Sequence, residues 1–156
     1  MLAIQTAAEY EKQKRDFLEW AKNMEQTENS ILSAFLREEK INISPVREGF
    51  YMITVRPGKG RSVNVGDHIW IRYKGKFLDG KYFDEMADSP LPVDFVYGTK
   101  MFLIEGLDRA LYYMKEGEKV MVILPSSLAF GQEGSATGLI PPFTSLIYEL
   151  ELIRIE

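Results

Sequence analysis

Aromatic side chains are the residues of this 156-residue chain whose types and spacing suggest a site. Any single aromatic residue is more often part of a core than of a binding site, because its large apolar surface favours burial. Here the aromatics lie on separate segments, and a carboxylate, Asp84, directly follows one of them. Together they make a stronger case for a site than any one of them does alone. The aromatic residues concerned are Tyr73, Phe83, Phe95, Phe130 and Tyr148.

Other kinds of chemistry have little support in the sequence. The chain has no cysteine and one histidine, His68, which excludes thiol catalysis and histidine-rich metal sites. Ser126 lacks the G-x-S-x-G setting of an activated serine. The carboxylates of Asp84, Glu85 and Asp88 lack the spacing of a calcium loop. We therefore expect no metal, no cofactor and no covalent intermediate.

Composition narrows the class of protein further. The net charge is −4 and the pI is about 5.2, which argues against nucleic-acid binding because nucleic-acid-binding proteins normally present a basic face. No apolar run approaches the length of a membrane span. The first residues lack the basic and apolar regions of a signal peptide. We therefore expect neither a nucleic-acid partner nor a membrane span.

A helical segment is predicted ahead of the aromatic residues. The first 44 residues contain no glycine or proline, and apolar residues recur at helical spacing from Tyr10 to Leu36. Capping residues within EQTENS leave two interpretations, two helices or one bent helix. The apolar stripe either packs on the rest of the chain, which we favour, or pairs with a second subunit. We predict a helical extension over residues 1–45 and a second domain over residues 46–156.

Strand signals dominate the second domain. Apolar and polar residues alternate from His68 to a hairpin turn at Asp79-Gly80, and further strands are predicted near residues 50–55, 93–98, 118–125 and 145–156. A helix is predicted from Ile104, with its stop signal at Gly117. The pattern favours several antiparallel strands around one helix, an α+β fold. The last strand should present one apolar face, formed by Leu146, Tyr148, Leu150 and Leu152.

Three segments of the chain resemble the FKBP-type peptidyl-prolyl cis-trans isomerases. They are VNVGDHIWIRYKGKFLDGKYFD, IEGLDRALYYMKEGEKVMVILPSSLAFGQEG and GLIPPFTSLIYELELI. The motifs follow the family's order over about residues 49–156, and their combination is very specific. The resemblance implies a bent antiparallel sheet of about five strands curled around one short helix. It also implies catalysis of X-Pro cis–trans rotation in folding proteins, without a cofactor.

The resemblance further implies a pocket between the helix and the sheet. Asp84, Tyr73 and Phe130 are the implied catalytic residues. A segment stiffened by Pro141-Pro142 and turned by the glycines of GQEGSATG is implied to lean over the pocket. The implied substrate-binding residues are Tyr73, Phe83, Asp84, Phe95, Leu103, Ile104, Leu107, Phe130, Ile140 and Tyr148.

Two positions depart from the family pattern. Leu107 stands where the family usually has tryptophan, so we expect a smaller or shallower pocket floor. Phe130 stands where the family usually has tyrosine, so a hydroxyl that contacts bound carbonyl groups is missing. These departures leave an alternative open, a weakly active or inactive FKBP-like binding module or chaperone. The active enzyme is favoured by the pocket residues that are retained: Tyr73, Phe83, Asp84, Ile140 and Tyr148.

Partners and location are implied by the resemblance as well. Proline-containing unfolded or partly folded polypeptides are the implied substrates, and macrolides are the implied inhibitors. Bacterial members with a helical extension are often exported, which implies a periplasmic or lipoprotein-anchored place in the cell envelope, with the cytoplasm as the alternative. The apolar stripe of the extension leaves a homodimer open.

Overall fold

A computed structural model describes residues 6–84, 92–99 and 104–156 of the chain, with Asp84 described by its backbone alone. Within those ranges the chain forms two α-helices and six strands, besides a short 3₁₀ turn at Ser126–Leu128. The predicted α+β class is confirmed, with six strands in place of about five. The elements are α1 (Ala7–Glu38), β1 (Tyr51–Arg56), β2 (His68–Phe77), β3 (Tyr82–Asp84), β4 (Val93–Val96), α2 (Glu105–Tyr112), β5 (Lys119–Leu124) and β6 (Leu146–Ile155).

The helical extension forms one continuous helix, so a single helix is the correct one of the two interpretations. Thr6 caps its start, because the Thr6 hydroxyl accepts the Glu9 N–H at 3.1 Å and the Glu9 carboxylate accepts the Thr6 N–H at the same distance. Thr27 does not end the helix, since its hydroxyl donates to the Asn23 carbonyl one turn earlier at 3.0 Å. The helix ends before Lys40, whose φ is 56°.

The strands form one antiparallel sheet in the order β1-β5-β6-β2-β3, and β4 also pairs with β2. The long strands β2 and β6 lie side by side at its centre, with Tyr73 opposite Leu150 and Gly75 opposite Tyr148. The predicted hairpin at Asp79-Gly80 joins β2 to β3, and Gly80 takes the positive φ of 92° that the turn requires. This order brings residues far apart in sequence onto neighbouring strands.

Each face of the sheet is covered by one helix. On β5, Val120, Val122 and Leu124 belong to the main apolar core, whereas Ile123 belongs to a second cluster, as the alternation of side chains along a strand requires. We call the face that carries the main core the α2 face, and the face that carries the second cluster the α1 face. The predicted apolar side of the last strand is confirmed, because its members all lie on the α2 face: Leu146, Tyr148, Leu150 and Leu152.

The two helices cover their faces to different extents. On α2, Leu107, Ala110 and Leu111 are buried against the sheet. The helix ends at Tyr112, earlier than its predicted stop, because the chain then turns to pair Lys115 with Ser62. On α1 the packing against the sheet is confined to the last third, where Leu32 is buried against Ile123 and Ile147. Residues 7–20 of α1 are exposed.

Candidate active site

Aromatic rings from three strands meet on the α2 face. The rings of Tyr73 on β2 and Tyr148 on β6 lie 6.1 Å apart between centroids. Phe83 on β3 meets Tyr148 edge to face at 5.9 Å, and Phe77 extends the row at 5.0 Å from Phe83. Offset and edge-to-face arrangements at these distances are the favourable ones for aromatic pairs. The structure therefore brings together three of the predicted site residues in direct contact.

Gly75 makes this ring cluster possible. It lies on β2 between Tyr148 of β6 and Asp84 of β3. A Cβ at this position would lie 2.6 Å from Phe83 Cζ and 2.8 Å from Tyr148 Cε1, closer than real Cβ contacts allow. Sequence reasoning missed Gly75 as a site residue. A glycine inside an otherwise regular strand, which often marks a close approach, was the available signal.

Two further predicted residues lie on the segment between β5 and β6, residues 125–145, which we call the flap. Ile140 is buried at 3% exposure, and Phe130 is partly buried against the same core. The flap closes on itself, since the Ser135 N–H donates to the Ile140 carbonyl and the Ser135 hydroxyl accepts the Ile140 N–H, both at 2.9 Å. Leu139, at 57% exposure, projects into solvent.

Gly134 sets the shape of the flap. Its φ is 74°, and an added Cβ would lie 2.4 Å from the Ile140 carbonyl oxygen and 3.0 Å from atoms of Pro141 and Pro142. Pro141 and Pro142 thus directly follow Ile140, whose close contact with residue 134 only a glycine permits. Gly134 is a second residue that sequence reasoning did not assign individually to the site.

Helix α2 supplies the remaining wall of the candidate site. Leu107 is buried at 1% exposure, and Ile104, partly buried, is the N-cap residue of the helix. The helix can lie this close to β5 because residue 106 is a glycine. A Cβ at this position would lie only 2.4 Å from Leu124 Cδ2. Eight predicted side chains therefore share one apolar cluster, some buried and some half-buried: Tyr73, Phe83, Phe95, Ile104, Leu107, Phe130, Ile140 and Tyr148.

Phe95 lies one step farther along β4 from the ring cluster than Val93 does. Strand register places it opposite Ile69, whereas Val93 lies opposite Ile71, one step nearer to Tyr73. Phe95 is buried at 9% exposure, and Val93 is partly buried. Val93 is therefore a pocket candidate that sequence reasoning missed, and the site role of Phe95 stays a prediction.

Two predicted residues are not tested by these contacts. Leu103 lies outside the described residues, and Asp84 is described by its backbone, which pairs with Gly75. Glu85 and Asp88, the two carboxylates considered together with Asp84 as a cation site, also lie outside the described residues. Among the residues that the structure describes, no group of three or more histidine, aspartate or glutamate side chains could hold a metal ion. In the same ranges, no helix is long and apolar enough to cross a bilayer.

An open cleft of about 890 Å³ lies beside α2 and contains none of the predicted residues. Three of its charged groups have partners: Arg109 donates to Glu105 at 2.7 Å, and the Tyr113 hydroxyl donates to Glu48 at 2.5 Å. Burial raises the pKa of Tyr97 to about 12, so this phenol stays neutral and donates to the Asp108 carbonyl at 3.2 Å. The cleft offers paired polar groups, in contrast to the aromatic pocket.

Relatives of known family match most of the chain. Peptidyl-prolyl cis-trans isomerase FKBP4 of Homo sapiens is 35% identical over 136 residues, which are 86% of this chain but 29% of that protein. FK506-binding protein 1A of Neurospora crassa is 34% identical over 113 residues, covering 72% of this chain and 92% of that protein. The chain thus spans under a third of the human relative and nearly all of the fungal one.

The fold and the family pattern agree with these relatives. The crystal structure of peptidyl-prolyl cis-trans isomerase PPIase from Pseudomonas syringae has a TM-score of 0.70 and 31% identity, covering 87% of this chain and 96% of that one. The sequence model of the FKBP-type peptidyl-prolyl cis-trans isomerases matches residues 59–153, which include every described residue of the candidate site. This chain belongs to the FKBP-type peptidyl-prolyl cis-trans isomerase family.

Proposed function

We propose that the protein is a peptidyl-prolyl cis-trans isomerase that accelerates rotation of X-Pro bonds in unfolded or partly folded polypeptides. The observation that carries the proposal is the aromatic cluster of Tyr73, Phe83 and Tyr148, packed over Gly75 within the family-matched region. It provides an apolar surface that accepts a proline ring and its preceding amide. Relatives that share this region are named as isomerases.

Such a reaction needs no nucleophile and no proton transfer. Rotation about a peptide bond loses amide resonance, with a barrier of about 18–20 kcal/mol. The two X-Pro isomers are close in energy, so a catalyst need only bind the twisted amide better than the planar one. The twisted amide has a less polar carbonyl group, so transfer into an apolar aromatic pocket costs it less hydration. This mechanism suits a chain without cysteine and with a single histidine.

Each proposed residue has a distinct role in this mechanism. Tyr73, Phe83 and Tyr148 form the apolar surface, with Leu107 beneath them. The backbone N–H of Ile104, at the start of α2, holds the substrate carbonyl group, because the first N–H groups of a helix have no partner within it. Asp84 orients the pocket or polarises the amide, and does not act as a general base.

The other wall of the pocket is proposed to be the flap together with part of β4. Phe130 and Ile140 of the flap contact the bound segment from above, and Val93 joins Phe95 on the β4 side of the wall. Leu103 completes the assignment at the helix side. The alternative of an inactive binding module is not favoured, because the relatives over this region are named isomerases.

Macrolide binding, dimerisation, chaperone activity and a cell-envelope location are further parts of the proposal. Macrolide binding is supported by the relative named as an FK506-binding protein. Exposed apolar side chains on α1 support a homodimer or a client-binding surface, since Tyr10, Phe17 and Leu18 are each about half exposed. The envelope location is supported by the helix that precedes the isomerase region, together with the bacterial structure that resembles it.

A protease-coupled assay on an X-Pro tetrapeptide tests the proposed activity and its site. We expect the wild-type chain to accelerate isomerisation, and Asp84→Ala and Tyr73→Ala each to lower kcat/KM by about tenfold or more, within the usual range for positioned groups. Tyr82→Ala is the matched control, because Tyr82 precedes Phe83 but is exposed and bonds Glu149. Full catalytic efficiency in either site variant would show that the site assignment is wrong.

A further inference from the structure

The two ends of the flap are held by one carboxylate from α1. Glu28 Oε2 accepts the backbone N–H of Ser126 at 2.7 Å and the hydroxyl of Ser145 at 2.6 Å. Glu28 Oε1 accepts the Ser126 hydroxyl at 2.6 Å. Ser126 lies at the start of the flap and Ser145 lies at its end, directly before β6. A single side chain of the helical extension therefore joins both ends.

This contact is buried, which distinguishes it from a surface ion pair. Glu28 is 6% exposed, and Ser126 and Ser145 are each 4% exposed. A carboxylate leaves water at a large cost unless donors compensate it, and here three donors converge on it. Removing the carboxylate would leave those three buried donors without their partner. The positions of both flap ends thus depend on a hydrogen-bond acceptor from α1, which lies outside the isomerase region.

A second contact links α1 to Phe143, two residues before the end of the flap. Trp20, two turns before Glu28, meets Phe143 edge to face at 5.6 Å. Phe143 has a φ of 53°, and its N–H donates to the Gly131 carbonyl at 3.0 Å, which ties together the two arms of the flap. Gly131 directly follows Phe130, the proposed pocket residue. The helix therefore contacts the flap at both ends and near the residue that faces the substrate.

We propose that Glu28 is a positioning residue of the isomerase site, through which α1 fixes the flap over the pocket. The inference rests on the proposed function in so far as it concerns catalysis. Glu28 does not touch the substrate. It holds Ser126 and Ser145, and these set where the flap carries Phe130 and Ile140. Helix α1 is in this respect part of the active site and not only a cover for the sheet.

The proposal predicts a particular kinetic change. Tyr73, Phe83 and Tyr148 lie on β2, β3 and β6, whereas the hydrogen bonds of Glu28 go to Ser126 and Ser145 of the flap, so we expect the surface that favours the twisted amide to stay in place without Glu28. Loss of the flap position should instead weaken binding of the planar and twisted substrate alike. We therefore expect Glu28→Ala to raise KM for an X-Pro tetrapeptide about tenfold while kcat changes less than about twofold.

The control for loss of helix packing is Leu32→Ala. Leu32 lies one turn after Glu28, and it packs on Ile123 and Ile147 in a cluster that includes no flap residue. We expect Leu32→Ala to lower the thermal midpoint but to leave KM within about twofold of the wild type. Equal KM values for Glu28→Ala and the wild type would overturn the proposal. A KM increase of the same size in Leu32→Ala would also overturn it.

Amide hydrogen exchange over residues 128–144 of the full chain gives a readout that does not depend on catalysis. We expect exchange in the flap to be about tenfold faster in Glu28→Ala and unchanged in Leu32→Ala, because local opening follows the loss of local contacts. If the wild type proved inactive, the proposed function would fail, yet this comparison would still decide whether Glu28 holds the flap. Unchanged exchange in Glu28→Ala would refute that role.

A milder variant covers the case in which Glu28→Ala does not fold. Ser145→Ala removes one donor and leaves Glu28 bound to Ser126. We expect a KM increase of about threefold with kcat retained, and faster exchange at the β6 end of the flap. Ser127→Ala is the control, since Ser127 is exposed. A Ser145→Ala protein with wild-type KM and wild-type flap exchange would contradict the proposal.

Discussion

The α2 face and the α1 face use the same strands in different ways. On the α2 face, side chains from all six strands and from α2 form a continuous apolar core that ends in an aromatic cluster. On the α1 face, a smaller apolar cluster around Leu32 lies beside a buried carboxylate, Glu28. The first face carries the proposed chemistry. The second holds the ends of the segment that covers it.

The difference shows that binding surface and support can be encoded in separate parts of a chain. The α2 face depends on strand register, which places Tyr148 beside Gly75 and lets Phe83 cross over it. The α1 face depends on a helix that precedes the isomerase region, and on hydrogen bonds from Glu28 to residues about a hundred positions later. Each face can therefore be disturbed without directly touching the other.

The largest effect is expected from a charge placed in the α1 face. Leu32→Asp would bury an unpaired carboxylate at an 8% exposed position, and we expect it to lower the free energy of unfolding by about 3 kcal/mol or more. Ile31→Asp, on the neighbouring and 55% exposed residue, should change it little. Urea unfolding of both variants measures the difference, and similar midpoints would show that α1 is not docked as described.

Much of the α2 face could be predicted from the sequence because its signals are local. The period-two pattern of β6 and the Asp79-Gly80 turn both predicted features that the structure contains. The family motifs fixed the order of the site residues. The site role of Phe95 stays a prediction, and the register that places Val93 one step nearer to Tyr73 could not be read from the sequence.

The α1 face could be predicted only in part. The apolar stripe predicted a helix that packs on the rest of the chain, which Leu32 confirms, but the exposed first third of α1 does not pack. Glu28 had no sequence signal, because a carboxylate on a charged helix is normally solvated and its serine partners lie far away in the sequence. A domain boundary at residue 45 stays a prediction, although contacts of α1 with β5 and β6 cross it.

An added methyl group should disturb the α2 face alone. Gly75→Ala would force Phe83 and Tyr148 apart, and overpacking of this kind costs about 1–3 kcal/mol. We expect kcat on a tetrapeptide to fall more than KM rises, the reverse of the pattern for Glu28→Ala. Gly60→Ala adds the same methyl group beside Glu116, away from the pocket, and should keep kcat. Unchanged kinetics in Gly75→Ala would remove the ring cluster from the mechanism.

A smaller gain is expected from restoring a hydroxyl on the flap. Phe130→Tyr should add a hydrogen bond to a bound carbonyl group, worth about 0.5–1.5 kcal/mol. Macrolide affinity, measured by titration calorimetry, should rise several-fold. Phe143→Tyr is the matched control, because Phe143 is on the same flap but packs on Trp20. Equal affinities of Phe130→Tyr and the wild type would show that Phe130 does not line the pocket.

The smallest effect is expected for the ion pair of Arg61 and Asp67, which belongs to neither face. The hydrogen bond from Arg61, followed by that from the Asn64 N–H, lowers the pKa of Asp67 below its ordinary value of 3.8. A carboxyl group with a lowered folded-state pKa stabilises the fold above 3.8 and loses that effect as pH falls through the folded value. Asp67→Asn should thus be slightly less stable than the wild type at pH 7, and the difference should shrink as the pH falls through the folded-state pKa of Asp67. A constant difference across this range would contradict the assignment.

The most direct test of the account is the rate at which the wild-type chain isomerises an X-Pro tetrapeptide in H₂O and in D₂O. The account predicts acceleration in proportion to protein concentration, with little solvent isotope effect, because rotation in an apolar pocket moves no proton. Exchange spectroscopy by NMR measures the rate without a coupled protease. No acceleration over buffer would contradict the proposed activity, and a large isotope effect would contradict the proposed mechanism.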